Sequence, residues 1–453
     1  MKFDFDKAVD NSGIIILRIF FGLLIFLESM GSIFTGWVKK TFVDPPFTFT
    51  FIDFSFLQIL NGPGMYLYYF LMSLPALAVM LGYRYKWSLS IFGVMWTVTY
   101  LSQKTHYNNH YYLIILLCFL FLLVPAASRK SLDSKSGRSL YSETCPAWCY
   151  WIFKWQFAIV FFYAALAKLN PDWLNGEPIT TWLRGKSNYP LIGPFLGNEL
   201  THVFVVYGGI LFDLLIAPAL FWKRTRWLAF SVAVFFHLFN SAVFQIGVFP
   251  YLMIFYGLIF FDPKTLGKKF LTYRSEALSA VSFQTPKLLL GILLIYFSFQ
   301  AIYPARHFAI PGNVNWTEEG HRHSWRMMLR SKRSSIHFTV KDKANGETWK
   351  DQPHKTLSKD QYRKMGKQPD MIWQYAQHLK QRYQNAGRSV AVYAKSRCGL
   401  NGRKMQEFID PNVDLAAQSW EHLRASSWIT PLDGSKLPIK KGPFNIPKKA
   451  KKD

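Results

Sequence analysis

"WCYWIFKWQFAIVFFYAALAKL" (148–169) carries an apolar run to a lysine, and "FFYAALAKLNPDWLNGE" (161–177) crowds Asn170, Asp172, Trp173 and Glu177 just beyond it. A hydrocarbon core of about 30 Å needs roughly 17–25 helical residues, and this run supplies them. Either Lys168 snorkels to the interface beside Trp173 as an aromatic-belt residue, or it is buried for chemistry. As a base it must be neutral. Burial lowers a lysine pKa, whereas a helix C-terminus favours the cation.

Runs of the same kind recur. They occupy 13–30, 65–83, 87–103, 111–127, 203–222, 227–261 and 288–304. The 227–261 run is too long for one span and is expected to turn near Gly247 and Pro250. Nine crossings result, or eight if one segment is re-entrant. The chain of 453 residues has mean hydropathy +0.07 only because two regimes cancel. Apolar residues fill the first 305 positions and charge fills the rest. The expected architecture is an α-helical polytopic membrane domain (1–304) followed by a mixed α/β domain (305–435) and a basic, disordered tail (436–453).

Charge sets the sidedness. Basic clusters at Arg84 and Lys86, at Arg129, Lys130, Lys135 and Arg138, at Lys223, Arg224 and Arg226, and at Lys264, Lys268, Lys269 and Arg274 fall in alternate loops. The positive-inside rule makes those loops and the N-terminus cytoplasmic and the α/β domain extracytoplasmic, although Lys39 and Lys40 depart from it. The net charge of +26 is thereby explained by lipid headgroups and topology, and nucleic acid is not an expected partner. Then "KTHYNNH" (104–110) and "AKLNPDWLNGE" (167–177) emerge on the same outer face as the α/β domain. In that domain Asn345-Gly346 signals a hairpin. Ile372, Tyr375, Ala376 and Leu379 form one helical stripe, and "SVAVYAKS" reads as a strand.

Ionisable and polar groups within the spans need partners or a purpose. Arg18 and Asp213 read as an interhelical ion pair. His237 and Asn240, three apart, either line a polar cavity or satisfy backbone at a bend. Cys145 and Cys149 lack a second pair for a metal.

The ordered segments "KTHYNNHYYL" (104–113), "FFYAALAKLNPDWLNGE" (161–177), "YGGILFDLL" (207–215), "FFHLFNSAVFQIGVFPYLM" (235–253), "NWTEEGHRHSWRMMLRSK" (315–332) and "FIDPNVDLAAQSW" (408–420) resemble the vitamin K-dependent gamma-carboxylase family over nearly the whole chain. The resemblance implies an integral membrane enzyme. It couples oxidation of vitamin K hydroquinone by dioxygen, with epoxide formation, to carboxylation of peptide glutamate by carbon dioxide. No side chain is basic enough to remove an unactivated γ-proton, so the cofactor carries that chemistry and the protein supplies a weak initiating base.

By the same resemblance Lys168 is that base. His110 and Asn109 sit beside the quinol oxygen; His237 and Asn240 are further cofactor-binding candidates on the separate reading that they line a polar cavity. Trp316, His323, Trp325, Arg326, Arg330 and Lys332 hold the glutamate. His321 and His323 would share a face of a strand, yet no further ligands follow and no metal is expected. The lipid bilayer, a peptide or protein glutamate substrate and a quinone reductase supplying hydroquinone are the implied partners. The length resembles a bacterial member, in the inner membrane, rather than an endoplasmic reticulum one. Two other readings remain: a quinol epoxidase without protein carboxylation, and a non-catalytic membrane binding protein or transporter.

Overall fold

Apolar runs become helices wherever the sequence offers no proline, glycine pair or turn chemistry to stop them. The computed structural model describes residues 4–271 and 283–434, so Arg274 and the basic tail at 436–453 lie outside the described residues. Among the described residues, the apolar helices are α1 (Ser12–Phe34), α2 (Gly64–Leu81), α3 (Tyr85–Ser102), α4 (Asn109–Leu123), α5 (Trp148–Lys168), α6 (Glu199–Phe221), α7 (Arg226–Phe244), α8 (Phe249–Gly257) and α9 (Lys287–Ile302). Among the described residues six segments are long and apolar enough to cross a membrane; α3, α4 and α8 fall short on length or hydropathy. The long 227–261 run does break. Gln245 and Gly247 both take positive φ (52° and 64°) between α7 and α8, which ends the helical ladder there.

Compactness groups the chain into two units, Met1–Val160 with Leu215–Ala301, and Phe161–Leu214 with Ile302 onward.

In the first unit α1 packs along α2 at close range. A Cβ on Gly22 would lie 2.4 Å from the Met80 backbone nitrogen, so only glycine permits that approach. Arg18 is fully buried and donates to the carbonyls of Ala126 (3.2 Å) and Lys130 (2.6 Å). It therefore fastens the loop after α4 and is not the partner of Asp213. An intramembrane arginine can be satisfied by backbone acceptors alone, which sequence spacing does not reveal. The Asp133 carboxylate finishes the same corner by accepting from the Arg84 and Tyr85 amides at the start of α3.

In the second unit a four-stranded antiparallel sheet has the order β4-β3-β5-β6, with β3 Lys332–Asp342, β4 Thr348–Lys350, β5 Val390–Leu400 and β6 Gln406–Ile409. (The pair β1 Ala8–Asp10 and β2 Thr144–Pro146 belongs to the first unit.) Period-two alternation turns Ile336, Phe338 and Val340 inward. The helix α11 (Pro369–Asn385), preceded by the short α10 (Lys359–Met365), buries Ile372, Tyr375, Ala376 and Leu379. Tyr375 meets Phe338 at 5.0 Å between ring centroids. At roughly 1.5–3 kcal/mol for each large apolar side chain buried, this face is the domain's main source of stability. The expected stripe, hairpin and strand are all present.

Candidate functional site

Lys168 is the last residue of α5 and does not snorkel: its residue is only 8% exposed. Its amine is ion-paired and hydrogen-bonded to the carboxylate of Asp213 on α6. The Trp173 ring lies 5.3 Å away. Local sequence makes this geometry. Gly209, one helical turn before Asp213, leaves room for both the Trp173 ring and the Lys168 stem. After α5 the Asn170 side chain caps a short turn by accepting from the Trp173 amide, with Pro171 at its first position. The Trp173 indole N–H donates to the Val206 carbonyl at 3.0 Å, pinning the ring against α6.

Asp172 anchors this turn to the α/β sheet. Arg403 donates to both of its oxygens, at 2.6 and 2.7 Å, and the Asn401 amide adds a third bond at 2.8 Å. Asn401 also accepts from the Ser331 amide at 2.7 Å, so the turn, the end of β5 and the start of β3 share one buried knot. A bidentate guanidinium–carboxylate pair fixes direction as well as distance.

The segment between Asn315 and Lys332 forms a second cluster. The condition under which His321 and His323 would share a face is not met, because 321–323 is an irregular turn and not a strand. Glu318, Gly320, His323, Trp325 and Met328 all have positive φ, a run no extended strand tolerates, so His321 and His323 do not line one face. Four of these residues carry side chains, each costing of order 1–3 kcal/mol, and such strain gathers at functional segments. Trp316 and Trp325 are fully buried. The Trp316 indole donates to the Thr430 carbonyl at 2.7 Å.

The cations here have partners. Arg326 donates to Asn315 at 2.9 Å. Arg330 and Lys332 both donate to one oxygen of Glu318, at 2.5 and 2.6 Å, and Lys332 donates further to the carbonyls of Trp316 and Lys367. Burial pulls the Glu318 pKa up, but the two cations outweigh it and hold the carboxyl below its ordinary value. Lys332 goes the other way. Burial pushes its pKa down, and Glu318, shared with a repelling Arg330, only partly offsets this. Burial and neighbouring arginines likewise depress His321 well below the usual range and His323 to about 3, so both imidazoles are neutral.

In the first unit His110 opens α4, its ring 5.4 Å from Phe249. His237 reaches the same Phe249 ring at 6.2 Å, and both His237 and Asn240 are buried on α7. Asn240 donates to the Phe236 carbonyl, and Asn109 accepts from the Tyr107 hydroxyl at 2.8 Å. Phe249, which sequence reasoning did not single out, thus gathers two expected cofactor residues. Beside this group, Tyr107 and Tyr111 help line an aromatic cleft of about 380 Å³, open mouth included, with Trp37, Tyr69, Trp96 and Tyr100.

Two family models match. The HTTM domain covers residues 6–264, and the lumenal domain of vitamin K-dependent gamma-carboxylase covers 285–435. The chain belongs to the vitamin K-dependent gamma-carboxylase family. No solved structure matches it.

Within this family member, sequence reasoning missed Asp213 as the partner of Lys168, and Asp172 with Arg403 as the knot behind it. The available signal was the "YGGILFDLL" motif, which put one acid inside a span without naming its partner. Among the described residues no group of three or more His, Cys, Asp or Glu could hold a metal ion, and Cys118, Cys145, Cys149 and Cys398 are free and buried.

Proposed function

We propose that this chain is a membrane γ-glutamyl carboxylase, coupling vitamin K hydroquinone oxidation by dioxygen to the carboxylation of peptide glutamate by carbon dioxide. The observation that carries the reading is the buried Lys168–Asp213 pair. A lysine that merely anchored the helix would extend to the interface; this one is held inside against a carboxylate and an indole face. The residues suit a phenolic co-substrate: an amine able to receive a proton at Nζ, and an acid at Oδ2 able to take it in turn.

When bound, the hydroquinone supplies, on oxidation, the strong base that a γ-proton demands. Asp213 first takes the ammonium proton across their hydrogen bond, and the neutral Lys168 amine so formed receives the initiating proton at Nζ. Trp173 keeps water from the amine. His110 and Asn109 hold the quinol by hydrogen bonds, as the family resemblance implies, and His237 and Asn240, which share the Phe249 neighbourhood with His110, join them. Trp316 and Trp325 support the glutamate-binding segment, and His323, Arg326, Arg330 and Lys332 belong to it. The C-terminal α/β domain faces the extracytoplasmic side of a bacterial inner membrane, and a quinone reductase regenerates the hydroquinone.

One observation favours a second reading. Glu318 already occupies Arg330 and Lys332, as a substrate carboxylate would, and a chain so filled could oxidise the quinol without carboxylating protein. One assay separates the two. Purified protein receives reduced vitamin K, labelled bicarbonate and a glutamate peptide. Epoxide together with label in the peptide supports the carboxylase. Epoxide alone supports the epoxidase, and neither product from folded protein favours a non-catalytic membrane binding protein.

A further inference from the structure

The cluster around Glu318 is unevenly charged. Arg322, Arg326, Arg330, Lys332, Lys364 and Lys367 are charged neighbours there, with Arg363 beside Lys367, against the carboxylates Glu318 and Asp370. Both acids are committed: Glu318 to Arg330 and Lys332, and Asp370 to Arg322 at 2.7 Å. What remains is a half-buried surplus of positive charge on the segment that closes α10. Lys364 lies in the last turn of α10, and Lys367 follows Gly366, the residue that caps the helix. Among the described residues neither lysine amine has a hydrogen bond or an ion pair. A Cβ on Gly366 would stand 2.7 Å from the Ser334 hydroxyl, so this segment lies directly on β3. The Lys332 ammonium, by donating to the Lys367 carbonyl at 3.1 Å, ties it to the Glu318 cluster.

A plainer reading is that both lysines only answer the negative end of a helix. A seven-residue helix offers little for that, and the neighbouring arginines and lysine repel them. Grouping like charges where solvent is partly excluded is costly unless an anion joins them. The cluster also shows which anion suits it, since the two places already filled hold carboxylates, one gripped by an arginine and a lysine together.

We infer that Lys364 and Lys367 form a subsite for a carboxylate of an acidic peptide, in addition to any glutamate held for reaction. The inference rests on the proposed carboxylase reading only in treating the peptide as the substrate. Binding can be measured without quinol, so the two can fail separately.

The test is fluorescence anisotropy of a labelled Glu-rich peptide with the full-length protein in zwitterionic detergent, beside its Gln counterpart. The Glu peptide should bind and the Gln peptide should not. K364M should weaken binding about tenfold, as loss of one charge-assisted contact implies, whereas K355M, which removes equal charge at an exposed site, should change it less than twofold. K364R guards against a mere folding effect. Burial, then repulsion from Arg330, only partly offset by Glu318, and further from Arg322 and Lys367, brings Lys364 down to about 8. Binding by the natural protein should therefore fall as pH rises through about 8, and K364R should hold it to higher pH. Equal binding of the Gln peptide, equal losses in K364M and K355M, or binding to phosphatidylglycerol nanodiscs but not to peptide would overturn the inference. Peptide binding lost on K364M while carboxylation is absent would sink the functional reading alone.

Discussion

Lys168 and Asp213 stabilise one another only as a pair. Removing one partner of a buried pair strands the other charge and typically costs about 3–5 kcal/mol, whereas replacing both with apolar groups is often neutral. K168A is therefore expected to lose epoxidation and carboxylation together and to lower the melting temperature in detergent. K168M/D213L should recover most of that stability and none of the activity. Recovery of activity in the double variant would remove Lys168 from the chemistry. Glu318 permits a pH test. Its folded pKa lies below the unfolded value of about 4.3, so its contribution is complete above that value and is lost as pH falls through the folded one. Thermal stability of the natural protein should decline over that acid range. In E318Q the melting temperature should be lower at pH 7, because Arg330 and Lys332 lose their anion, and its acid decline should be shallower. An unchanged acid limb in E318Q would mean that other carboxylates govern it.

At the level of elements, the Asp172–Arg403 knot joins the turn after α5 to the end of β5. R403K keeps charge but loses the two-oxygen grip on Asp172. Losing the knot should cost roughly 3 kcal/mol or less, with lysine retaining part of it. In the carboxylase reading, kcat should fall several-fold with KM for the peptide little changed, since the knot orients the Lys168 turn rather than the peptide; a rise in KM alone would place it in substrate binding instead. This scale also shows what sequence could and could not reveal. The apolar runs, the stripe at Ile372, Tyr375, Ala376 and Leu379, and the Asn345-Gly346 hairpin were legible because helix periodicity and turn chemistry act over a few residues. Asp172 with Arg403, Lys168 with Asp213, and Arg18 with the Ala126 and Lys130 carbonyls join residues far apart in the chain, and no local pattern encodes such partners. The 321–323 turn was illegible for another reason. Alternating histidines share a face only on a strand, and no local pattern announces the positive φ at Glu318, His323, Trp325 and Met328 that rules one out.

Over the whole molecule the +26 charge has to be divided between internal work and the membrane surface. Arg129, counted with a basic loop in the sequence, is in fact buried, its guanidinium near Glu143 at 3.9 Å and Ser12 at 3.4 Å. Its charge serves packing, whereas Lys130, Lys135 and Arg138 of the same loop are exposed. The positive-inside argument, which expects this loop on the cytoplasmic side, loses one cation and keeps three exposed ones. It also yields a test with low background, because all four native cysteines are buried. In intact bacterial cells a membrane-impermeant maleimide should label K355C, in the α/β domain, and should label R138C only after permeabilisation. The reverse pattern would invert the orientation and put the α/β domain on the cytoplasmic side. A carboxylase acting on exported peptides requires the first result, since Lys355 belongs to the same domain as the Glu318 cluster.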